Sequence, residues 1–225
     1  MHTTTKTTLY AASVSPLKDA AWYRLAYHNA TSERRQKVDK YRFAQDRYLS
    51  LGAEMLLRHG LREANVAYDR LHIKTGASGK PYFADSHLYF NISHSQDWVI
   101  CAISDVEIGC DIEKVQPANL QIAERFFCPE EYHHIAKQRS TLERNLLFYR
   151  YWTLKESFLK ATGLGLSLPL NAFCMELGEC IRVNQSVDQR EYAFAEFDDI
   201  PGYCCAACIA RAQPEISLQV IDLYA

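Results

Sequence analysis

Four short clusters hold side chains able to do chemistry. Asp111-Ile112-Glu113 ends an apolar run, and the two-residue period of a strand puts both carboxylates on one face. Carboxylates that near repel unless a cation lies between them. Mg²⁺, which takes few carboxylates and keeps positions for water and phosphate oxygens, suits such a pair; so does ordinary solvated surface charge. Trp152, Glu156 and Lys160 recur at i, i+4 and i+8, one face of a helix. Glu156 ahead of Lys160 is the favourable order for an exposed ion pair, worth about 0.2–0.5 kcal/mol. The same face could instead give Glu156 to a metal or a proton and Lys160 to a phosphate. Asn91-Ile92-Ser93-His94-Ser95 joins two strand-like runs. Ser93 and His94 either offer hydroxyl, imidazole and loop amides to a phosphate or form a polar hairpin turn. Gly79-Lys80-Pro81 is either a surface turn or a rigid mount for a lysine over an anion.

These clusters need elements to carry them. Residues 9–14 read as a first strand. Val38, Tyr41, Ala44, Tyr48, Leu51 and Met55 repeat every three or four residues, which predicts one long amphipathic helix over about 33–59, with Ser32 as N-cap and Gly60 at its end. Residues 71–74, 88–93, 98–104 and 106–112 read as strands, with turn material at 76–81. Residues 120–127 look helical, and Pro129 opens another short helix with Glu130 and Glu131 in its first turn. A second long helix is predicted over about 142–162, stopped by Gly163. Short strands follow at 173–177, 181–183, 192–197, 203–210 and 217–221. The order helix, strands, helices, strands points to an α+β fold.

Composition narrows the classes. The chain has 225 residues, 48% of them hydrophobic and 23% charged, enough for a full core and against large-scale disorder. A net charge of −2 argues against a nucleic-acid binder. No apolar stretch approaches a membrane span, and the polar opening segment lacks the apolar core of a secretory signal. The eight cysteines (Cys101, Cys110, Cys128, Cys174, Cys180, Cys204, Cys205 and Cys208) show no cysteine–histidine zinc pattern, and several lie in apolar strand-like runs, so they read as reduced core thiols of a cytoplasmic protein.

Taken together, the clusters resemble the 4'-phosphopantetheinyl transferases of the larger single-chain type that serves non-ribosomal peptide and polyketide synthases. The likeness spans roughly Ser32 to Pro169. It rests on Gly79-Lys80-Pro81, Phe90 to Ser95, Ile108 to Lys114, Arg125-Phe126-Phe127 with Glu131, and Trp152 to Lys160 followed by Gly163-Leu164-Gly165-Leu166, in that order. The resemblance implies two pseudo-symmetric halves, 1–105 and 106–225, each a small antiparallel sheet packed with a long helix, and coenzyme A in the cleft between them. It implies Mg²⁺ on Asp111, Glu113 and Glu156. Coenzyme contacts would come from Lys80, Ser93, His94, Asp111 and Lys160 and, by a looser match, Arg34, Lys37 and Ser50. Glu156 and Lys160 are the expected catalytic residues. It also implies a monomer acting on acyl or peptidyl carrier proteins, which the segment from Pro117 through Phe127 and Tyr132 to Lys137 is expected to meet. A Mg²⁺-dependent phosphatase or nuclease would use the same acids but gives no reason for Lys80, Ser93 and His94. A coenzyme A-binding module without catalysis would not need the three acids together.

Overall fold

The structure is a computed structural model describing residues 7–187, 189–211 and 216–224; the polar opening segment, residues 1–6, lies outside the described residues. The chain runs β1 (Thr7–Ser13), α1 (Ala20–Asn29), α2 (Ser32–Lys40), α3 (Ala44–Glu63), β2 (Ile73–Thr75), β3 (Pro81–Phe83), β4 (Tyr89–Ser95), β5 (Trp98–Ser104) and β6 (Ile108–Lys114). It continues as α4 (Leu120–Phe126), α5 (Pro129–Ala136), α6 (Thr141–Thr162), β7 (Phe173–Glu176), β8 (Arg182–Gln185), β9 (Ala193–Phe197), β10 (Tyr203–Ile209) and β11 (Ile216–Val220).

Strand alternation builds the layers. One sheet has the order β11-β1-β5-β4, and a second has β6-β10-β9. In β1 and β5, Tyr10, Ala12, Val99, Cys101 and Ile103 face α3, whereas Leu9, Ala11, Ile100 and Ala102 face the second sheet. In β6 and β10, Ile108, Cys110, Ile112, Cys205 and Ala207 meet that same inter-sheet core, while Ala206 and Cys208 join the core under α6. The result is helix, sheet, sheet, helix, each sheet buried on both faces, as the near-continuous apolar runs of β5 and β10 require. Each fully buried leucine of α3, such as Leu56, Leu57 and Leu61, is worth about 1.5–3 kcal/mol relative to exposure.

Several elements differ from the sequence reading. The single helix expected over 33–59 is two, α2 and α3, separated at Tyr41–Phe43. The side chain of Arg47 satisfies the carbonyl freed there, donating to Tyr41 O from Nε at 3.0 Å and from a terminal nitrogen at 2.9 Å. The N-cap is Thr31, whose hydroxyl accepts from Arg34 N, rather than Ser32. Gly60 lies inside α3, with Tyr10 and Ile103 so close that a Cβ would meet both at 2.9 Å. α1 is an additional helix, capped by Asp19. The first sheet is not wholly antiparallel: β11 pairs parallel to β1, so the end of the chain crosses back from the second half to complete the first. The cysteines are not all reduced core thiols, because Cys128 and Cys174 form a disulfide and Cys180 is exposed.

Candidate active site

The site starts from a glycine. β6 passes so close to α6 at Gly109 that a Cβ there would lie 2.0 Å from Ser157 O and 2.4 Å from Ala161 N. Only the missing side chain permits that approach. Alternation then points Asp111 and Glu113 from the same face of β6 toward α6. On α6, residues 151–160 are buried except at Trp152, Glu156 and Lys160, which form a half-open stripe at four-residue spacing. α6 is held at both ends. Ser140 and Glu143 close a capping box at its start, and Gly163 ends it in the left-handed conformation at φ 73°.

These residues line one cavity of about 360 Å³: Ser93 and His94 from β4, Asp111 and Glu113 from β6, and Trp152, Glu156 and Lys160 from α6, with Ile92 at the edge. Lys160 Nζ donates to Asp111 Oδ1 at 2.6 Å, to Ser93 Oγ at 3.1 Å and to the Cys110 carbonyl at 3.1 Å. Ser93 Oγ donates to Asp111 Oδ1 at 2.7 Å, and Ser95 Oγ donates to Glu113 Oε2 at 2.8 Å. Asp111 Oδ2 is buried and has no hydrogen-bond partner among the described residues.

The electrostatics follow from that crowding. Burial first, and then the neighbouring Asp111, push Glu156 above the usual carboxylate range. Burial also raises Glu113; the Ser95 hydrogen bond opposes the shift and Asp111 adds to it. Burial is the largest influence and would lower Lys160, but Asp111, Cys110 and Glu156 together outweigh it and leave its pKa above the ordinary lysine value. His94 is held below the usual imidazole value by desolvation and then by Lys160. Three acids around a single ammonium, one with an orphaned buried oxygen, are the donor set that a hard divalent cation fits. Their oxygens are not drawn to within 4.8 Å of one another. Among the described residues only Cys128, Glu130 and Cys174 form such a group, and both of its sulfurs are in the disulfide.

The cavity continues along the cleft. A 250 Å³ recess shares Ile92 and Lys160 with it, and a 790 Å³ recess beyond shares Ser78, Lys80 and Gly163 with that one. The Ser78 hydroxyl donates to the Gly163 carbonyl and ties the β2–β3 turn to the end of α6. Lys80 Nζ donates to the Ile108 carbonyl at 3.0 Å, and burial lowers its pKa.

The remaining expected contacts lie elsewhere. Arg34 donates to Glu54 Oε2 at 3.1 Å and to Ser50 Oγ at 3.2 Å, so both side chains serve the α2–α3 junction, and Lys37 is exposed on α2. None of the three lines the cleft cavities described above. In the segment expected to meet a partner, Phe127 is buried against Phe148 and Trp152, whereas Phe126 is exposed. Ser95 was not singled out from sequence; the signal was Asn91, Ser93 and Ser95 at a two-residue period, a polar face on a strand in the interior of the fold.

Comparison with known proteins matches the sequence of this chain to a family. The profile described as 4'-phosphopantetheinyl transferase superfamily matches residues 107–208, and that described as 4'-phosphopantetheinyl transferase, N-terminal, matches residues 16–106. The 4'-phosphopantetheinyl transferase Sfp of Bacillus subtilis (strain 168) is 37% identical over 184 residues, 80% of this chain and 81% of its own. The 4'-phosphopantetheinyl transferase gsp of Aneurinibacillus migulanus is 34% identical over 182 residues, 80% of this chain and 76% of its own. The crystal structure of Thermotoga maritima holo-[acyl-carrier-protein] synthase aligns over 48% of this chain and 64% of its own with a TM-score of 0.41 at 18% identity, too distant to inform the site. Among the described residues no helix is long and apolar enough to cross a membrane. With both halves matched and relatives above 30% identity over four-fifths of its length, the chain belongs to the 4'-phosphopantetheinyl transferase superfamily, as an enzyme of that class.

Proposed function

We propose that this transferase moves the 4'-phosphopantetheine arm of coenzyme A to a serine of an apo acyl or peptidyl carrier protein, such as those of non-ribosomal peptide and polyketide synthases, and releases 3',5'-ADP. Mg²⁺ would be held by Asp111, Glu113 and Glu156, and when bound supplies positive charge against the diphosphate. The observation that carries the reading is Asp111 Oδ2: a carboxylate oxygen buried without a hydrogen bond, in a cavity shared with two further acids.

In the reaction a bond forms between the carrier serine oxygen and the phosphorus bearing the arm. The bond from that phosphorus to the bridging diphosphate oxygen breaks, and its electron pair leaves with 3',5'-ADP. Lys160 keeps fixed positive charge on the cavity wall, where negative charge accumulates. The serine proton goes to Glu156, whose carboxylate lines the same cavity. Ser93, His94 and Lys80, along the same cleft, suit the 3'-phosphate end of the donor. Arg34 and Ser50 are committed to Glu54 and to each other, which leaves Lys37 as the member of that group with an ammonium available to the nucleotide.

The direct test is incubation with coenzyme A, Mg²⁺ and an apo carrier domain, read by intact mass. Wild-type protein adds one arm per carrier, and Asp111→Ala adds none. A carrier that stays at its apo mass with the wild type, or gains mass with the variant, removes the assignment.

A further inference from the structure

β4 and β6 run side by side at the seam between the two sheets, yet they belong to different sheets and share no backbone ladder. Side chains close the seam instead. Asn91 Oδ1 accepts from Cys110 N at 2.8 Å, Ser93 Oγ donates to Asp111 Oδ1 at 2.7 Å, and Ser95 Oγ donates to Glu113 Oε2 at 2.8 Å while accepting from Lys114 N at 3.1 Å. Three alternate residues of β4, Asn91, Ser93 and Ser95, therefore clip side chains or backbone of β6. Two of the three clips end on acids of the candidate metal site.

The two acids are held differently. Asp111 has Lys160, Ser93 and a buried setting to fix it. Glu113 is longer, only half-buried and near the end of its strand, and the hydroxyl of Ser95 is the one side-chain hydrogen bond found on it among the described residues. That hydroxyl is itself oriented, because the Lys114 amide donates to its oxygen and directs its proton outward to the carboxylate. With Oε2 taken, the carboxylate presents Oε1 for a ligand.

We propose that Ser95 is a positioning residue for Glu113, setting the rotamer in which this acid serves the divalent cation. The proposal rests on the three-acid reading given above. It concerns a residue outside the lining of the cavity that holds the three acids, and outer partners of this kind typically change metal affinity by about 10- to 100-fold.

The test is binding, with activity set aside. Mg²⁺ and Mn²⁺ are titrated by calorimetry, and Mn²⁺ also by electron paramagnetic resonance, into wild-type protein, Ser95→Ala, Ser95→Thr, Glu113→Ala and the Ser95→Ala/Glu113→Ala double variant. The expected result is a dissociation constant about tenfold weaker in Ser95→Ala. Ser95→Thr, which keeps the hydroxyl, restores it. In the Glu113→Ala background, removal of Ser95 has no further effect, as coupled residues require. Coenzyme A affinity without metal stays at the wild-type value, which a general loosening of the seam would not allow. If Ser95→Ala fails to fold, Ser95→Cys, nearly isosteric and a weak donor, makes the same comparison. Wild type and Ser95→Ala binding the metal equally would overturn the proposal and leave the three-acid reading intact. A wild type that binds no divalent cation would remove both.

Discussion

Lys155 and Lys160 stand on the same helix, and each pairs with a carboxylate from outside it, yet the two pairs are opposites. Lys155 is fully buried. Its Nζ lies 2.9 Å from Glu131 Oε1 and donates to the carbonyls of Leu170 at 2.8 Å and Phe173 at 2.7 Å, with the Phe127 and Phe173 rings alongside. Glu131 is equally spent: Oε2 accepts from Cys128 N at 2.9 Å and Oε1 from Met175 N at 2.7 Å. Lys160 faces a cavity, and its partner Asp111 keeps an oxygen without a hydrogen bond. Burial holds Lys155 below the ordinary lysine pKa even with Glu131 beside it, whereas Lys160 is held above. A saturated buried pair is a structural joint, here fastening α5 and β7 to α6. The unsaturated one, at a cavity wall, keeps a carboxylate oxygen with no protein partner among the described residues.

The largest expected effect separates them by stability. Lys155→Met leaves Glu131 charged and enclosed, which should cost about 3–5 kcal/mol, read as a lower midpoint in urea melts. If that variant melts like the wild type, the joint is not structural. Lys160→Ala is the mirror case. Transfer should fall by about 10²–10³, measured as turnover on an apo carrier, with only a small change in the urea midpoint. A drop in stability matching that of Lys155→Met would erase the distinction.

The joint has a covalent neighbour. Cys128 caps α5 next to Glu131, and its disulfide partner Cys174 adjoins Met175, so the bond spans the same seam as the buried pair. Reduction by a thiol should lower stability by about 2–4 kcal/mol and act on the Lys155 side of α6. An unchanged thermal melt under reducing conditions would show that the bond contributes nothing to the joint.

The smallest expected effect is linked to protons on the Lys160 side. His94 has a folded pKa below the ordinary imidazole value, so between the two values the unfolded chain binds more protons. Stability should therefore decline as pH falls through about 6.5, the unperturbed histidine value, and on down to the folded pKa. His94→Asn should flatten that slope in urea melts between neutral and mildly acidic pH. An unaltered slope in the variant would assign the decline to other groups.

Much of this was readable along the chain, and the failures share a cause. Gly163 announced the end of α6, and the apolar periods placed β5, β6, β10 and α6 within a few residues. The break between α2 and α3 escaped because neither proline nor glycine marks it and the apolar period runs through it. What ends α2 there is extended backbone at Tyr41, with its carbonyl taken by Arg47. α1 escaped because its signal was the single cap Asp19, on a helix whose apolar positions are largely exposed. That Arg34 would donate to Glu54 and Ser50 at the α2–α3 junction was likewise invisible in residue type, which does not name a partner.

Sequence alone determined the inventory: three acids and a lysine on elements whose periods, two for a strand and four for a helix stripe, give each pair a common face. Periodicity is local, so it fixed which side chains look the same way. It could not say what they look at. That Asp111 would meet Lys160 through the close approach Gly109 permits, that β11 would return to β1, and that Lys155 would be sealed while Lys160 stayed open were decided by contacts between residues distant along the chain. Those contacts depend on how whole layers pack, which no stretch of sequence encodes by itself.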